Sequence, residues 1–176
     1  MFAKSSPDLK IEPLGRDHDR TGFSCGVESL DRYLKTKASQ DQRRKANGVF
    51  VLIEPQQPTT VLGYYTLCAT ALPQGEVPVG VRKHIPRYPL VSATLLGRLA
   101  VSREQQKTGL GALLLADAVY RAHASAASVG SSMLVVDALG EPAAEFYEAH
   151  GFLRLPESLR LMLPMQTIGK LYLSAS

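Results

Sequence analysis

Leu96 to Leu115 reads LLGRLAVSREQQKTGLGALL. An apolar strand runs into a polar turn, and Gly109-Leu110-Gly111 then opens an apolar helix. Glycine at such a turn lets the backbone approach a ligand closely. The free N–H groups of the first helical turn, with the positive end of the helix dipole, favour a pyrophosphate there. On these residues alone three readings compete. A Rossmann dinucleotide turn wants a third glycine where the chain has Leu114. A nucleotide-triphosphate P-loop wants Lys and then Ser or Thr after the last glycine, whereas Lys107-Thr108 precedes Gly109. The third is a plain glycine-containing turn from strand to helix, with no ligand.

Working outward, Lys10–Leu14 reads as a short strand closed by Gly15. Val27, Leu30, Tyr33 and Leu34 are spaced for one apolar helical face. Lys35–Lys45 (KTKASQDQRRK) continues in helix-compatible residues without a large apolar side chain, up to Gly48. Val49–Ile53 and Val61–Ala71 read as strands of a hairpin, with a turn at Pro55-Gln56-Gln57-Pro58. Pro73 to Pro89 holds four prolines and reads as a long loop with room for a short helix. Loops of that length inside a compact domain are often functional. Val91–Val101 is an apolar strand, Gly109–His123 a helix with a wide apolar stripe, and Met133–Val136 a buried strand. Pro142 suits the first turn of a helix that Gly151 ends. Phe152–Leu155 and Leu159–Met165 read as closing strands. The order β, α, α, β, β, loop, β, α, β, α, β, β predicts an α/β fold, a mixed sheet flanked by helices.

The 176 residues are 45% hydrophobic and 20% charged, which suits one soluble globular domain over 1–176. That balance excludes a disordered chain, a collagen-like fibre and a coiled-coil rod. Apolar stretches such as Leu110–Val119 are broken by Asp117, so no membrane span is expected. Met1–Lys10 carries Lys4 with no apolar core behind it, so no secretory signal is expected either. Cys25 and Cys68 are too few for a disulfide scaffold, which makes a reducing cytoplasm the expected compartment. His18, His84, His123 and His150 are scattered and neither cysteine has a ligand-spaced partner, so no metal is expected. The formal charge of +4 permits an anionic partner.

A fourth reading of the opening stretch fits more of the chain. Gln106-Lys107-Thr108-Gly109-Leu110-Gly111 resembles the Q/R-x-x-G-x-G/A signature of the GNAT superfamily of acyl-CoA N-acyltransferases. Arg98-Leu99-Ala100-Val101 is similar to the bulged central strand of that family. Ala143-Ala144-Glu145-Phe146-Tyr147 with Gly151-Phe152 resembles the usual end of its fold. The resemblance implies a GNAT fold whose central sheet splays to admit acetyl-CoA. It implies that N–H groups from Gly109, Leu110, Gly111 and Ala112, with Gln106, Lys107 and Thr108, hold the pyrophosphate. It further implies that backbone groups of Leu99, Ala100 and Val101 align the pantetheine and acetyl group, with Phe146 alongside. An N–H near Val101 would then polarise the thioester carbonyl. Lys107 and Arg103 either add charge near the phosphates or are solvated surface residues.

Tyr147 stands where many enzymes of that family keep a proton donor for the departing thiolate. A phenol with a pKa near 10 carries its proton at pH 7. The alternative is a core tyrosine packed on Phe146 with its hydroxyl on a carbonyl. Glu145, Asp137 and Glu141 are the candidate bases, none in an obviously apolar setting. An α-amine, with a pKa of about 8 against about 10.4 for a lysine side chain, needs a base least.

Two basic runs bear on the acceptor. Val77 to Arg103 contains no Asp or Glu but has Arg82, Lys83, Arg87, Arg98 and Arg103. Lys35, Lys37, Arg43, Arg44 and Lys45 stand against Asp41 alone. Each run is either a solvated face or a track for a phosphate backbone. No aromatic RNA-reading motif is evident, so recognition would rest on shape and charge.

Phe23–Leu34 (FSCGVESLDRYL), Gln40-Asp41, LLGRLAV, Val135–Ala138 and the terminal LPMQT resemble one GNAT subgroup, the toxins of type II toxin–antitoxin pairs. That resemblance implies acetylation of the α-amino group of the amino acid on charged tRNA, which blocks translation. It implies a small ribbon–helix–helix antitoxin, DNA binding only as the toxin–antitoxin complex, and a homodimer. Lys35, Lys37, Arg43, Arg44, Arg82, Lys83, Arg87 and Arg98 become the candidates for the tRNA-facing surface. Two other readings stay open: a GNAT enzyme for a small amine or protein N-terminus, and a CoA-binding module that acts only within a DNA-bound repressor.

Overall fold

A computed structural model describes residues 8–173. The elements in chain order are β1 (Lys10–Pro13), α1 (Glu28–Thr36), α2 (Ala38–Arg43), β2 (Gly48–Ile53), β3 (Gly63–Pro73), α3 (Val79–Arg82), β4 (Leu90–Val101), α4 (Leu110–Ala126), β5 (Met133–Asp137), α5 (Glu141–Ala149), β6 (Leu153–Arg154), β7 (Arg160–Pro164) and α6 (Met165–Ile168). Among the described residues the strands form one sheet in the order β1-β2-β3-β4-β5-β7-β6. β4 and β5 run parallel. β1–β2, β5–β7 and β6–β7 are antiparallel. The expected mixed sheet with helices is therefore what forms.

The chain divides into two compact units. One holds the described residues up to Thr66 together with Arg98–Leu115. The other holds Leu67–Gly97 and the described residues from Ala116 on.

In the first unit, β1 pairs with β2 from Lys10↔Ile53 to Pro13↔Phe50. Leu30, Tyr33 and Leu34 of α1 are buried among Leu14, Phe23, Val49, Val51, Tyr64 and Ala100. Val27 was expected on the same face, but it caps α1 in extended conformation and lies exposed. Glu28 and Asp31 sit in the first turn of α1, where they favour its dipole.

The helix expected to continue through Lys45 instead breaks at Lys37 (φ −120°, ψ −32°). A bond spans the break: the Tyr33 hydroxyl donates to Asp41 Oδ2 at 2.9 Å. Eight residues of straight helix would separate these two by a rise of about 12 Å. The chain bends and the two side chains meet.

In the second unit, β4 pairs with β5 from Ala93↔Met133 to Leu96↔Val136. β5 also pairs with β7, from Met133↔Pro164 to Asp137↔Arg160. A strand paired on both edges and covered on both faces is a continuous apolar run, and Met133, Leu134, Val135 and Val136 are all buried. The long loop after β3 is more ordered than its prolines imply. Val77, Val81 and Ile85 recur at spacing four and pack into the core with Val91, Ala93 and Met162.

Smaller differences concern boundaries. β3 starts at Gly63 rather than Val61, and Met165 begins α6 rather than ending a strand. α5 starts at Glu141 with Pro142 in its first turn, and Gly151 (φ +95°) follows its end.

Candidate active site

The turn after β4 is built by braces reaching across the first unit. Ser102 N–H donates to Leu62 O at 2.9 Å and Arg103 N–H to Ser24 O at 2.8 Å. Gln106 Nε2 donates to Cys25 O at 2.7 Å and to Val101 O at 2.9 Å. Its backbone N–H is held by Arg103 O. The donors of Gln106 are thus spent on shaping the turn, and the residue acts as a brace. Thr108 closes the turn through its hydroxyl on Gln105 O.

Lys107 (φ +64°) and Gly109 (φ +88°) both adopt left-handed backbone. For glycine that costs nothing; for lysine it costs about 1–2 kcal/mol. Gln106 to Gly109 are exposed, and nothing lies within 4 Å of where a Gly109 Cβ would stand.

Leu113 N–H bonds back to Gly109 O at 3.2 Å. The N–H groups of Leu110, Gly111 and Ala112 precede that ladder and lack an acceptor in their own helix. Leu110, Leu114 and Leu115 are buried and hold the helix start in place. An open cradle of N–H donors at the start of a 17-residue helix suits an anionic group such as the pyrophosphate of acetyl-CoA.

The backbone of β4 supplies a second set of donors. In a strand, successive residues turn their N–H and C=O to alternate sides. Ser102 N–H faces β3 through Leu62, and the Ala100 carbonyl faces the same way, 2.8 Å from an ideal Gly63 Cβ. Leu99 and Val101 must therefore point their N–H groups away from β3. On that side the β4–β5 pairing has ended at Leu96. A Val101 N–H turned to that side suits a thioester carbonyl.

Gly63 was not singled out from the sequence, yet its missing side chain is what lets β3 approach Ala100 and Leu114. Nothing local marks it. Beside the turn lies a cavity of about 480 Å³, lined by Phe23, Ser24, Thr60, Leu62, Ser102 and Arg103 among others.

Tyr147 belongs to the second unit. Its ring is 6% exposed and packs against Phe146 (5.2 Å between centroids, 68°) and Phe152 (5.5 Å, 60°). Burial alone raises its phenol above the usual range, so the group stays protonated. Among the described residues no group hydrogen-bonds its hydroxyl. Thr66 Oγ1 is a fully enclosed side-chain oxygen without a partner among the described residues. The Tyr147 ring packs on Phe146 as a core residue would, but among the described residues the hydroxyl meets no carbonyl.

Two candidate bases are tied up. Arg160 grips Asp137 at 2.7 and 2.9 Å. Arg154 holds Glu141 through both its terminal nitrogens, keeping that carboxyl below the usual range. Glu145 is exposed.

The basic candidates divide. Lys35, Lys37, Arg43, Arg44 and Lys45 are exposed along α1, α2 and the turn after them. Arg82, Lys83 and Arg87 are also exposed, but Arg82 folds its guanidinium onto Val77 O (2.7 Å) and Gly75 O (3.3 Å) of its own loop. Arg98 is half-buried, its Cζ 3.5 Å from the centroid of the Tyr33 ring. Among the described residues no group of three or more His, Cys, Asp or Glu is placed to hold a metal. No helix among them is long and apolar enough to cross a membrane.

Comparison with known proteins agrees with this geometry. A family model described as an acetyltransferase (GNAT) domain matches residues 46–154. The chain is 36% identical over 149 residues to the tRNA-acetylating toxin of Mycobacterium tuberculosis, spanning 84% of this chain and 87% of that protein. Its fold superposes on AtaT complexed with acetyl-methionyl-tRNAfMet with a TM-score of 0.85 at 34% identity, over 94% of this chain and 99% of that one. It also superposes on a mutant AtaT toxin bound to the C-terminus of the antitoxin AtaR and acetyl-CoA, with a TM-score of 0.79 at 32% identity, over 94% and 98%.

Proposed function

Because this chain belongs to the GNAT acetyltransferase family, we propose that it moves an acetyl group from acetyl-CoA to the α-amino group of the amino acid on charged tRNA. It thereby blocks translation as the toxin of a type II toxin–antitoxin pair. The observation that carries the acceptor is the likeness, over most of both chains, to toxins named or pictured with acetylated tRNA.

The residues divide the work. The Gly109–Ala112 N–H groups hold the pyrophosphate, with Lys107 and Thr108 flanking and Gln106 bracing the turn from behind. The Leu99 and Val101 N–H groups align the pantetheine, and the latter stabilises negative charge developing on the thioester oxygen. Ala100 seats the strand in the core. Tyr147, kept protonated by burial and without a hydrogen-bond partner among the described residues, gives its proton to the departing thiolate. Phe146 supports its ring.

The amine attacks directly, in a complex that holds both substrates. An acceptor with a pKa of about 8 is in substantial part neutral at pH 7, which agrees with Asp137 and Glu141 being committed to arginines. Lys35, Lys37, Arg43 and Arg44, with Lys83, Arg87 and Arg98, face the RNA. The protein works in the cytoplasm as a homodimer. A ribbon–helix–helix antitoxin restrains it, and the pair binds DNA only together.

The test is incubation with radiolabelled acetyl-CoA and freshly charged tRNA beside the same pool deacylated. Label confined to the charged pool is expected. Label on neither pool, with acetyl-CoA still bound, overturns the tRNA reading in favour of a small amine or protein N-terminus.

A further inference from the structure

Arg98 is a half-buried residue whose guanidinium has no hydrogen-bond acceptor among the described residues. A guanidinium left without an acceptor where the residue is half-buried is costly, and another half-buried arginine shows the usual remedy. Arg20 donates to Leu34 O at 3.2 Å. Arg98 instead lies over the Tyr33 ring, Cζ to centroid 3.5 Å. A face-on contact of this kind restrains the guanidinium plane and leaves its in-plane N–H fork for another partner.

The ring beneath it is itself pinned. Tyr33 is 7% exposed, and its hydroxyl donates to Asp41 Oδ2 at 2.9 Å. Asn47 Nδ2 donates to the same oxygen at 3.2 Å. Tyr64 lies nearly parallel beside it, 6.4 Å between centroids, its own hydroxyl fixed on Leu30 O at 2.7 Å. Asp41 sits on α2 and Tyr33 on α1, so the bend at Lys37 is what brings the clamp together.

We propose that Arg98 takes a phosphate oxygen of the acceptor RNA, and that Tyr33 and Asp41 are the positioning pair that present it. This deepens the tRNA reading above and rests on it. A free, planar fork of donors matches a phosphate bidentately. Its side chain leaves β4 on the same face as Ala100, which packs among the buried residues of α1 and α2. Those two helices, with the turn after them, carry the exposed Lys35, Lys37, Arg43, Arg44 and Lys45. Arg98 therefore continues the basic track of the acceptor-facing helices. The Leu99 and Val101 side chains alternate to the other face of the strand.

The test compares wild type, Arg98→Ala, Arg98→Lys and Tyr33→Phe on two acceptors. One is charged tRNA; the other is its 3′-aminoacyl-adenosine fragment, which lacks the phosphates. Losing a charge-assisted hydrogen bond predicts a KM for charged tRNA raised about ten- to a hundredfold in Arg98→Ala. The KM for acetyl-CoA and the rate with the fragment stay unchanged. Arg98→Lys restores only part of the loss, because an ammonium lacks the planar fork. Tyr33→Phe keeps the ring, loses the pin on Asp41, and shows a smaller rise confined to tRNA.

A raised KM for acetyl-CoA would reassign Arg98 to the cofactor phosphates and overturn the proposal. So would an equal loss on both acceptors, or an unchanged KM for tRNA. If wild type labels no charged tRNA at all, the acceptor reading falls and takes this one with it. That outcome is separate from an active wild type with an indifferent Arg98.

Discussion

Gly63→Ala is a sharp test of how the cofactor strand is held. A methyl at that position would stand 2.8 Å from Ala100 O and 2.8 Å from Leu114 Cδ1. Comfortable carbon–carbon separations begin near 3.5 Å, so both neighbours must yield. Neither does so freely. Leu114 is fully buried, and the Ala100 carbonyl is main chain in the middle of packed structure. Overpacking of this sort costs about 1–3 kcal/mol. In a chain of this size each kcal/mol lowers the melting temperature by about 2–4 °C, so a fall of roughly 2–12 °C is expected. Any relief taken by β4 moves the Ala100–Val101 backbone, so the KM for acetyl-CoA rises as well.

Gly80→Ala is the control. Gly80 lies within α3 with nothing within 4 Å of its missing side chain. Alanine there should be neutral, or stabilising by about 0.5–1 kcal/mol. Thermal melts of both variants, each with and without acetyl-CoA, decide the matter. If Gly63→Ala melts within a degree of wild type with an unchanged KM, the close approach of β3 to β4 is not what shapes the site.

Other expectations are simpler to state. Tyr147→Phe should lower kcat roughly a hundred- to ten-thousandfold while sparing acetyl-CoA affinity and stability, because its hydroxyl has no partner among the described residues; stopped-flow transfer and calorimetric titration check both. Gly109→Ala meets no neighbour but must hold φ near +88°, a strain of about 1–2 kcal/mol that should appear chiefly as weaker acetyl-CoA binding. Glu141 is held below its ordinary value of 4.5 by the Arg154 guanidinium. A depressed carboxyl contributes stability that is present above pH 4.5 and is lost as pH falls through the lowered value. Glu141→Gln should therefore flatten the acid limb of urea midpoints measured from pH 6 to pH 3.

What was legible in the sequence was local. Gly109, Gly111 and the apolar residues that follow them specify a turn and a helix start through bonds spanning a few residues. Lys35–Lys45 shows its charge and Met133–Val136 its burial without reference to distant partners. Even the Pro73–Pro89 segment carried a readable signal, the spacing of Val77, Val81 and Ile85.

Tertiary structure decided the rest, because it depends on pairs that sequence proximity does not join. Gln106 braces its turn on Cys25, 81 residues away. Gly63 is required by a carbonyl and a leucine on later elements. Tyr33 can reach Asp41 only because the helix breaks between them, and Arg98 meets the Tyr33 ring only once β4 packs on α1. Periodicity reports which face of an element is buried; it does not report what that face will touch.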